Sequence, residues 1–108
     1  MQLVICNCPH DVSETIRTAI LRKNLAASVN LVPKVKRSFN DEGSISTIEE
    51  TMMLVQTVED RLEEVFKAIV QLHPSDNPAI ISLFINGGSG QYINSVEDAL
   101  SDEEEEQS

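Results

Sequence analysis

The spacing of hydrophobic and polar residues predicts two short elements at the start of the chain. Residues 2–8 are apolar on both faces, which is typical of a buried strand. Asp11 comes soon after, with Glu14 three residues later, and this pair indicates a capping box at the start of a helix. Apolar residues then recur at helical spacing, so we expect the helix to continue to residue 24 or 25.

The apolar period changes to two from residue 27, which predicts a long strand. Pro33 within it indicates an edge position or a β-bulge, because proline cannot donate to the sheet ladder. A polar turn at residues 40–43 leads into a second long strand over residues 44–57, so the two strands form a hairpin. One face of the first strand is expected to carry these residues: Ala27, Val29, Leu31, Val35 and Phe39.

The second half of the chain repeats the helix and strand pattern. Thr57 is placed to cap a second helix, whose apolar stripe continues to Leu72. Residues 79–85 predict a further strand, and the last apolar residues of the chain suggest a short final helix. The order βαββαβ is that of a ferredoxin-like α+β sandwich, with two helices on one face of a four-stranded sheet. We expect residues 1–100 to form a single domain.

The predicted strands are apolar on both faces at their centres, residues 3–6, 52–55 and 79–85. Two helices can cover only one face of the sheet. Apolar patches of that size are rare on monomers, so a second layer must cover the other face. The short final helix is too small for this, and a symmetric homo-oligomer that packs sheet against sheet is the simplest solution.

Charge and cysteine content narrow the class of protein. The 108 residues include 18 acidic and eight basic side chains, a net charge of −10, which argues against nucleic-acid binding. Five of the acids lie within residues 101–108, which predict a disordered acidic tail. The sequence has no apolar run of about 18 residues, so we expect no membrane span. Two cysteines two residues apart make a poor disulfide framework, and the cytoplasm is the expected location.

Several motifs appear in a fixed order along the chain. Cys6 ends the first strand, the stretch Asn24–Pro33 reads NLAASVNLVP, and the turn Glu42-Gly43 follows. Two glutamates precede the next strand, and Leu72-His73-Pro74 comes before Pro78. In this order and spacing the sequence resembles the CutA family of divalent-cation tolerance proteins over roughly residues 3–100.

The resemblance implies a compact homotrimer of ferredoxin-like subunits with strand pairing between subunits. It also implies a link to copper tolerance, binding of copper or other divalent ions, and no enzymatic activity. Some positions depart from the family pattern in ways that remove potential metal ligands. Serine stands at position 28 where a cysteine is often found, and Leu72 stands where some members have the first of two histidines.

The candidate metal ligands are two thiols and two imidazoles. Cys6 and Cys8 are alternate residues of a strand and point the same way, and thiolate with imidazole suits copper or zinc. His10 and His73 could complete a tetrahedral site. The resemblance points to Cys6 and His73 as the ligands, with Cys8 and His10 as further candidates. The alternative is that both cysteines are buried core residues and that His73 stabilises the end of a helix.

Two other segments of the sequence are candidates for anion or phosphate binding. Lys34, Lys36 and Arg37 form a small basic stretch, which suits either an anion or, more simply, pairing with Glu49, Glu50 or a neighbouring subunit. The glycine-rich loop at residues 86–90 lacks the Lys-Ser/Thr that follows in a phosphate loop.

The leading hypothesis is therefore a non-enzymatic CutA-type trimer with weak divalent-metal binding. A PII-like trimeric regulatory module, which binds a nucleotide or anion between subunits, is the alternative. An enzyme is disfavoured because no catalytic constellation is evident.

Overall fold

The computed structural model describes residues 1–101, so all but the first residue of the predicted acidic tail, residues 101–108, lies outside the described residues. Over these residues the chain forms four strands and three α-helices, with one 3-10 turn before the second helix. Their order is β1 (Gln2–Cys8), α1 (His10–Arg22), β2 (Ser28–Asp41), β3 (Ser44–Thr57), the 3-10 turn (Glu59–Arg61), α2 (Leu62–Leu72), β4 (Ile80–Phe84) and α3 (Gly90–Ala99).

The four strands form one antiparallel sheet in the order β2-β3-β1-β4. Strand β1 is central: Cys6 lies opposite Met53 of β3 on one side and Ile80 of β4 on the other. This order with two helices on one face confirms the predicted ferredoxin-like α+β fold.

The core lies between the sheet and helices α1 and α2. Alternate residues of β1 and β3 point into it, as the period of two in an extended strand requires. The helices contribute apolar residues three or four positions apart, which lie on one side of each helix. The side chains of this core that are fully buried include Val4, Met53, Val55, Ile16, Ile20, Val65 and Ile69.

The opposite side of the sheet, here called the outer face, is also apolar. Leu3, Ile5, Met52 and Leu54 are only half-buried there. On β4, Ile81 and Leu83 keep 55% and 48% of their surface exposed. Helix α3 covers one end of this face, where the Tyr92 hydroxyl donates to the side-chain oxygen of Gln56. Both faces of the sheet are therefore apolar, as the sequence predicts.

The prediction for the faces of β2 is wrong beyond Pro33. Val32 lies opposite Met52 and Val35 opposite Glu50, so Pro33 and Lys34 together face the single residue Thr51. This β-bulge inserts one extra residue and reverses the alternation. Val29 and Leu31 accordingly pack against the core, whereas Val35 and Phe39 lie on the outer face.

The predicted helix starts also need correction. Helix α1 begins at His10, because the Pro9 carbonyl accepts the first helical hydrogen bond, from the Ser13 N–H at 2.9 Å. Among residues 1–101 no side chain caps α1, so the predicted capping box of Asp11 and Glu14 does not form.

Thr57 does not cap α2 either. It is the buried last residue of β3, and its hydroxyl donates to the Leu25 carbonyl at 2.6 Å. Helix α2 begins five residues later at Leu62, after the 3-10 turn. At its other end Leu72, predicted in the apolar stripe, is 39% exposed.

Candidate functional site

The two cysteines of β1 point into the core, side by side with the buried valine and methionine side chains. Both thiols are free and buried. Burial, with a smaller contribution from Cys8 and Glu50, raises the pKa of Cys6 to about 12. Burial and nearby carboxylates raise the pKa of Cys8 to about 11. Both thiols are therefore protonated near neutral pH, whereas the thiolate is the form that binds metal.

His73 caps the C-terminal end of α2 and is half-buried. The Ser75 N–H donates to its Nδ1 at 3.0 Å, and Nε2 lies 2.9 Å from the Asn7 carbonyl oxygen. A backbone N–H can only donate, so Nδ1 accepts and Nε2 carries the proton that it donates to Asn7. Both ring nitrogens are thus engaged within the protein.

His10 lies elsewhere, at the start of α1. Its Nδ1 is 2.9 Å from the Thr51 hydroxyl, and its Nε2 is 3.8 Å from Glu14. The ring lines a cleft of about 310 Å³ on the side of the β-bulge, together with Pro33, Lys34, Glu49, Glu50 and Thr51. His10 and His73 therefore line different cavities.

A smaller cavity of about 140 Å³ lies beside His73, and we call it the His73 cavity. Next to it is a more apolar cavity of about 190 Å³ that Cys6 lines. Three residues line both cavities: Asn7, Arg37 and Ala79. The remaining lining residues of the His73 cavity are Glu50, Ser75, Asn77 and Pro78.

An ion pair occupies the wall of the His73 cavity. Arg37 Nε lies 2.6 Å from Glu50 Oε1, and the Glu50 side chain is only 11% exposed. The Arg37 guanidinium also stacks over the Phe39 ring, with its central carbon 4.6 Å from the ring centroid. The expected pairing of the basic stretch with the glutamates of β3 is confirmed for this one pair. The bulge makes it possible, because it brings Arg37 to the outer face with Glu50.

The four predicted ligands are not brought together. Cys6 and Cys8 point into the core, His10 lines the cleft beside the bulge, and His73 lies at the end of α2. In the part of the chain that the structure describes, no group of three or more His, Cys, Asp or Glu side chains is arranged to hold a metal ion. A four-ligand tetrahedral site is thus not preformed, and metal binding through Cys6 and His73 stays a prediction.

Within residues 1–101, no helix combines the length and apolar character that are needed to cross a bilayer.

The fold and the cavities define the class: a ferredoxin-like α+β protein whose His73 cavity carries polar and charged side chains. The family model for the CutA1 divalent ion tolerance protein matches residues 2–99. The chain therefore belongs to the CutA1 divalent ion tolerance family, as the resemblance predicted. These matches give no support to the PII-like alternative, and the family is not a known enzyme family.

Relatives of known name support the same family assignment. The Protein CutA homolog of Danio rerio is 33% identical over 101 residues, which is 93% of this chain and 67% of that protein. The Divalent-cation tolerance protein CutA of Thermus thermophilus is 29% identical over 93 residues, covering 85% of this chain and 90% of that one. Against the chloroplastic Protein CutA of Arabidopsis thaliana, at 29% identity, the chain spans 46% of the relative's length.

Solved structures share the whole fold. The divalent cation tolerance protein of Thermus thermophilus superposes with a TM-score of 0.85 at 28% identity, over 92% of this chain and 98% of that one. The periplasmic divalent cation tolerance protein CutA of Archaeoglobus fulgidus gives a TM-score of 0.85 at 27% identity, over 94% and 100% of the two chains.

Proposed function

We propose that this protein acts in divalent-cation tolerance as a homotrimer that binds copper or another divalent metal weakly and catalyses no reaction. The observation that carries the proposal is the family match over residues 2–99, joined to a fold that superposes on divalent cation tolerance proteins over their whole length. The relatives named for divalent-cation tolerance support the same role.

The apolar outer face supports self-association. Four of its side chains are at least 40% exposed, and they come from three different strands: Val32, Ile48, Ile81 and Leu83. Helix α3 covers only one end of the face. A further copy of the chain that packs sheet against sheet would remove this surface from water, at roughly 25 cal/mol for each Å² of apolar area buried.

Light scattering at micromolar concentration tests the trimer, which should weigh three times the 12.0 kDa of the chain. Ile81→Asp places a charge on the outer face, at its β4 side, and should dissociate the assembly. Val70→Asp is the matched control, because Val70 is similarly exposed at 54% but lies on α2. A monomeric wild type, or equal dissociation by both variants, would reject this mode of assembly.

For metal binding we propose Cys6 as the principal ligand and His73 as its helper, because the thiolate is the softest donor available. Zinc titration calorimetry on wild type, Cys6→Ser and His73→Ala in reducing buffer tests this assignment. Both variants should bind more weakly than wild type, and binding should weaken as pH falls because the ligands must lose protons. Equal affinity in all three proteins would place the ion elsewhere.

The cytoplasm is the location that we propose for this chain. The relatives include chloroplastic proteins, and one structural neighbour is named periplasmic. Fractionation of the source cells, with an antibody against the purified protein, would decide between these compartments.

A further inference from the structure

The His73 cavity has the size and the donor types of a small cation site, yet its imidazole and its carboxylate are already engaged. Its volume of about 140 Å³ corresponds to a few water molecules. The two ring nitrogens of His73 are bonded to Ser75 and to Asn7. A metal ion that used this imidazole would have to displace the Ser75 N–H from Nδ1, the ring nitrogen that holds the free electron pair.

Glu50 is the negatively charged residue of the cavity wall, and it is nearly buried, with 11% of its side chain exposed. A carboxylate in such a place needs a compensating positive charge, because burial of an unpaired charge is costly. Arg37 supplies that charge at 2.6 Å, and the Phe39 ring packs against the guanidinium at 4.6 Å. The cation at this site is therefore part of the chain and is held in place by two contacts.

We infer that Arg37 is a tethered cation that takes the position beside Glu50 which a divalent metal ion would otherwise occupy, and that it keeps the metal affinity of the His73 cavity low. The inference rests on the proposed function, since it concerns the same divalent metals. A metal ion that binds Glu50 must break a charge-assisted hydrogen bond, which is among the stronger kinds of hydrogen bond in a protein. Arg37 cannot give way by losing its proton, because a guanidinium stays charged throughout the working pH range.

Because Arg37 lies between two cavities, its positive charge affects cation binding in both. Its side chain lines both the His73 cavity and the neighbouring cavity of Cys6. The guanidinium therefore borders the same cavity as the Glu50 carboxylate and the His73 ring, whereas the Cys6 thiol points away from it into the core. A second positive charge that entered either cavity would meet the repulsion of the first.

Zinc titration of wild type and Arg37→Gln tests the inference. Glutamine can still donate a hydrogen bond to Glu50 but carries no charge, so the fold should survive while the competing cation is removed. We expect Arg37→Gln to bind Zn²⁺ at least about tenfold more tightly than wild type. The double variant Arg37→Gln/Glu50→Gln should lose this gain. Lys36→Gln is the matched control, since it removes one positive charge from the neighbouring exposed position of β2, and its affinity should stay within about twofold of wild type.

A measurement on the wild type keeps the test independent of the variants' folding. The NMR signal of the Arg37 Nε–H should move toward that of a free guanidinium as Zn²⁺ saturates the protein. A signal that stays unchanged at saturation, or equal zinc affinity in wild type and Arg37→Gln, would overturn the inference and leave the proposed metal binding intact. Zinc binding by Arg37→Gln alone would support the inference and remove native metal binding from the proposed function. No binding by either protein would reject both.

Discussion

The imidazole of His73 and the backbone carbonyl of Asn7 are joined by a 2.9 Å hydrogen bond across 66 residues of sequence. Strand β1 pairs with β4 only from Gln2 to Cys6, so this bond continues the edge of the sheet where the ladder stops. The Ser75 N–H on the other ring nitrogen fixes the orientation of the imidazole. The ring thus ties the end of α2 to the central strand, and this contact needs no metal.

Replacing His73 with alanine should destabilise the metal-free protein by about 1 kcal/mol, because the Asn7 carbonyl loses its imidazole donor. His73→Gln should recover part of this loss, since its amide can donate to the same carbonyl. Urea denaturation in the presence of EDTA measures both variants. Gln71→Ala, on the exposed side of the same helix, is the control and should change stability by less than about 0.5 kcal/mol. If His73→Ala were as stable as wild type, the contact would have no structural role.

The thiols should be almost unreactive in the folded protein. Burial raises the pKa of Cys6 to about 12 and that of Cys8 to about 11, so the thiolate fraction at pH 8 is very small and the sulfur atoms are shielded. We expect labelling by a disulfide reagent at pH 8 to be at least about 100-fold slower in buffer than in 6 M guanidinium chloride, where thiol reactivity becomes ordinary. Comparable rates in the two conditions would mean that β1 opens readily.

The same pKa values predict a loss of stability in alkali. Below an ordinary cysteine pKa of 9.0 the thiols are protonated in both folded and unfolded chains, and their contribution is fully present. As the pH rises from 9 toward 12, the unfolded chain releases these protons first, so the free energy of unfolding falls. We therefore expect the free energy of unfolding of wild type, measured in urea between pH 8 and 11, to fall relative to that of the Cys6→Ala/Cys8→Ala variant as the pH rises. A difference that is constant with pH would contradict the raised pKa values.

The sequence was sufficient to predict the element order, the hairpin and the two-sided apolar sheet, because these follow from hydrophobic period alone. It also predicted correctly that Cys6 and Cys8 share a face. It could not tell which face, since both sides of β1 are apolar and only the packing of α1 and α2 decides between them. That choice places the thiols in the core, away from the histidines.

The Arg37–Glu50 pair was harder to foresee than its proximity in sequence suggests. Simple alternation puts Arg37 on the opposite side of β2 from Val32, and only the extra residue of the bulge brings both to the outer face. A proline within a strand indicates a bulge, but it does not reveal how many residues the bulge inserts or where the bulge lies. Partners across the hairpin could therefore be assigned only once the register of β2 and β3 was known.

Lys34 carries the conformational cost of that bulge. Its φ of 60° lies in the left-handed region, which a residue with a Cβ adopts only at a cost of about 1 kcal/mol or more. Glycine enters this region freely, so Lys34→Gly should leave the protein at least as stable as wild type and stabilise it by up to about 1 kcal/mol. Lys36→Gly is the matched control: Lys36 lies two residues along the same strand and is also exposed, but its φ is outside the left-handed region. There glycine should destabilise the protein by about 0.5–1 kcal/mol. Urea denaturation of the two variants side by side gives the sign of each effect, and a loss of stability in Lys34→Gly as large as that in Lys36→Gly would show that the bulge stores no such strain.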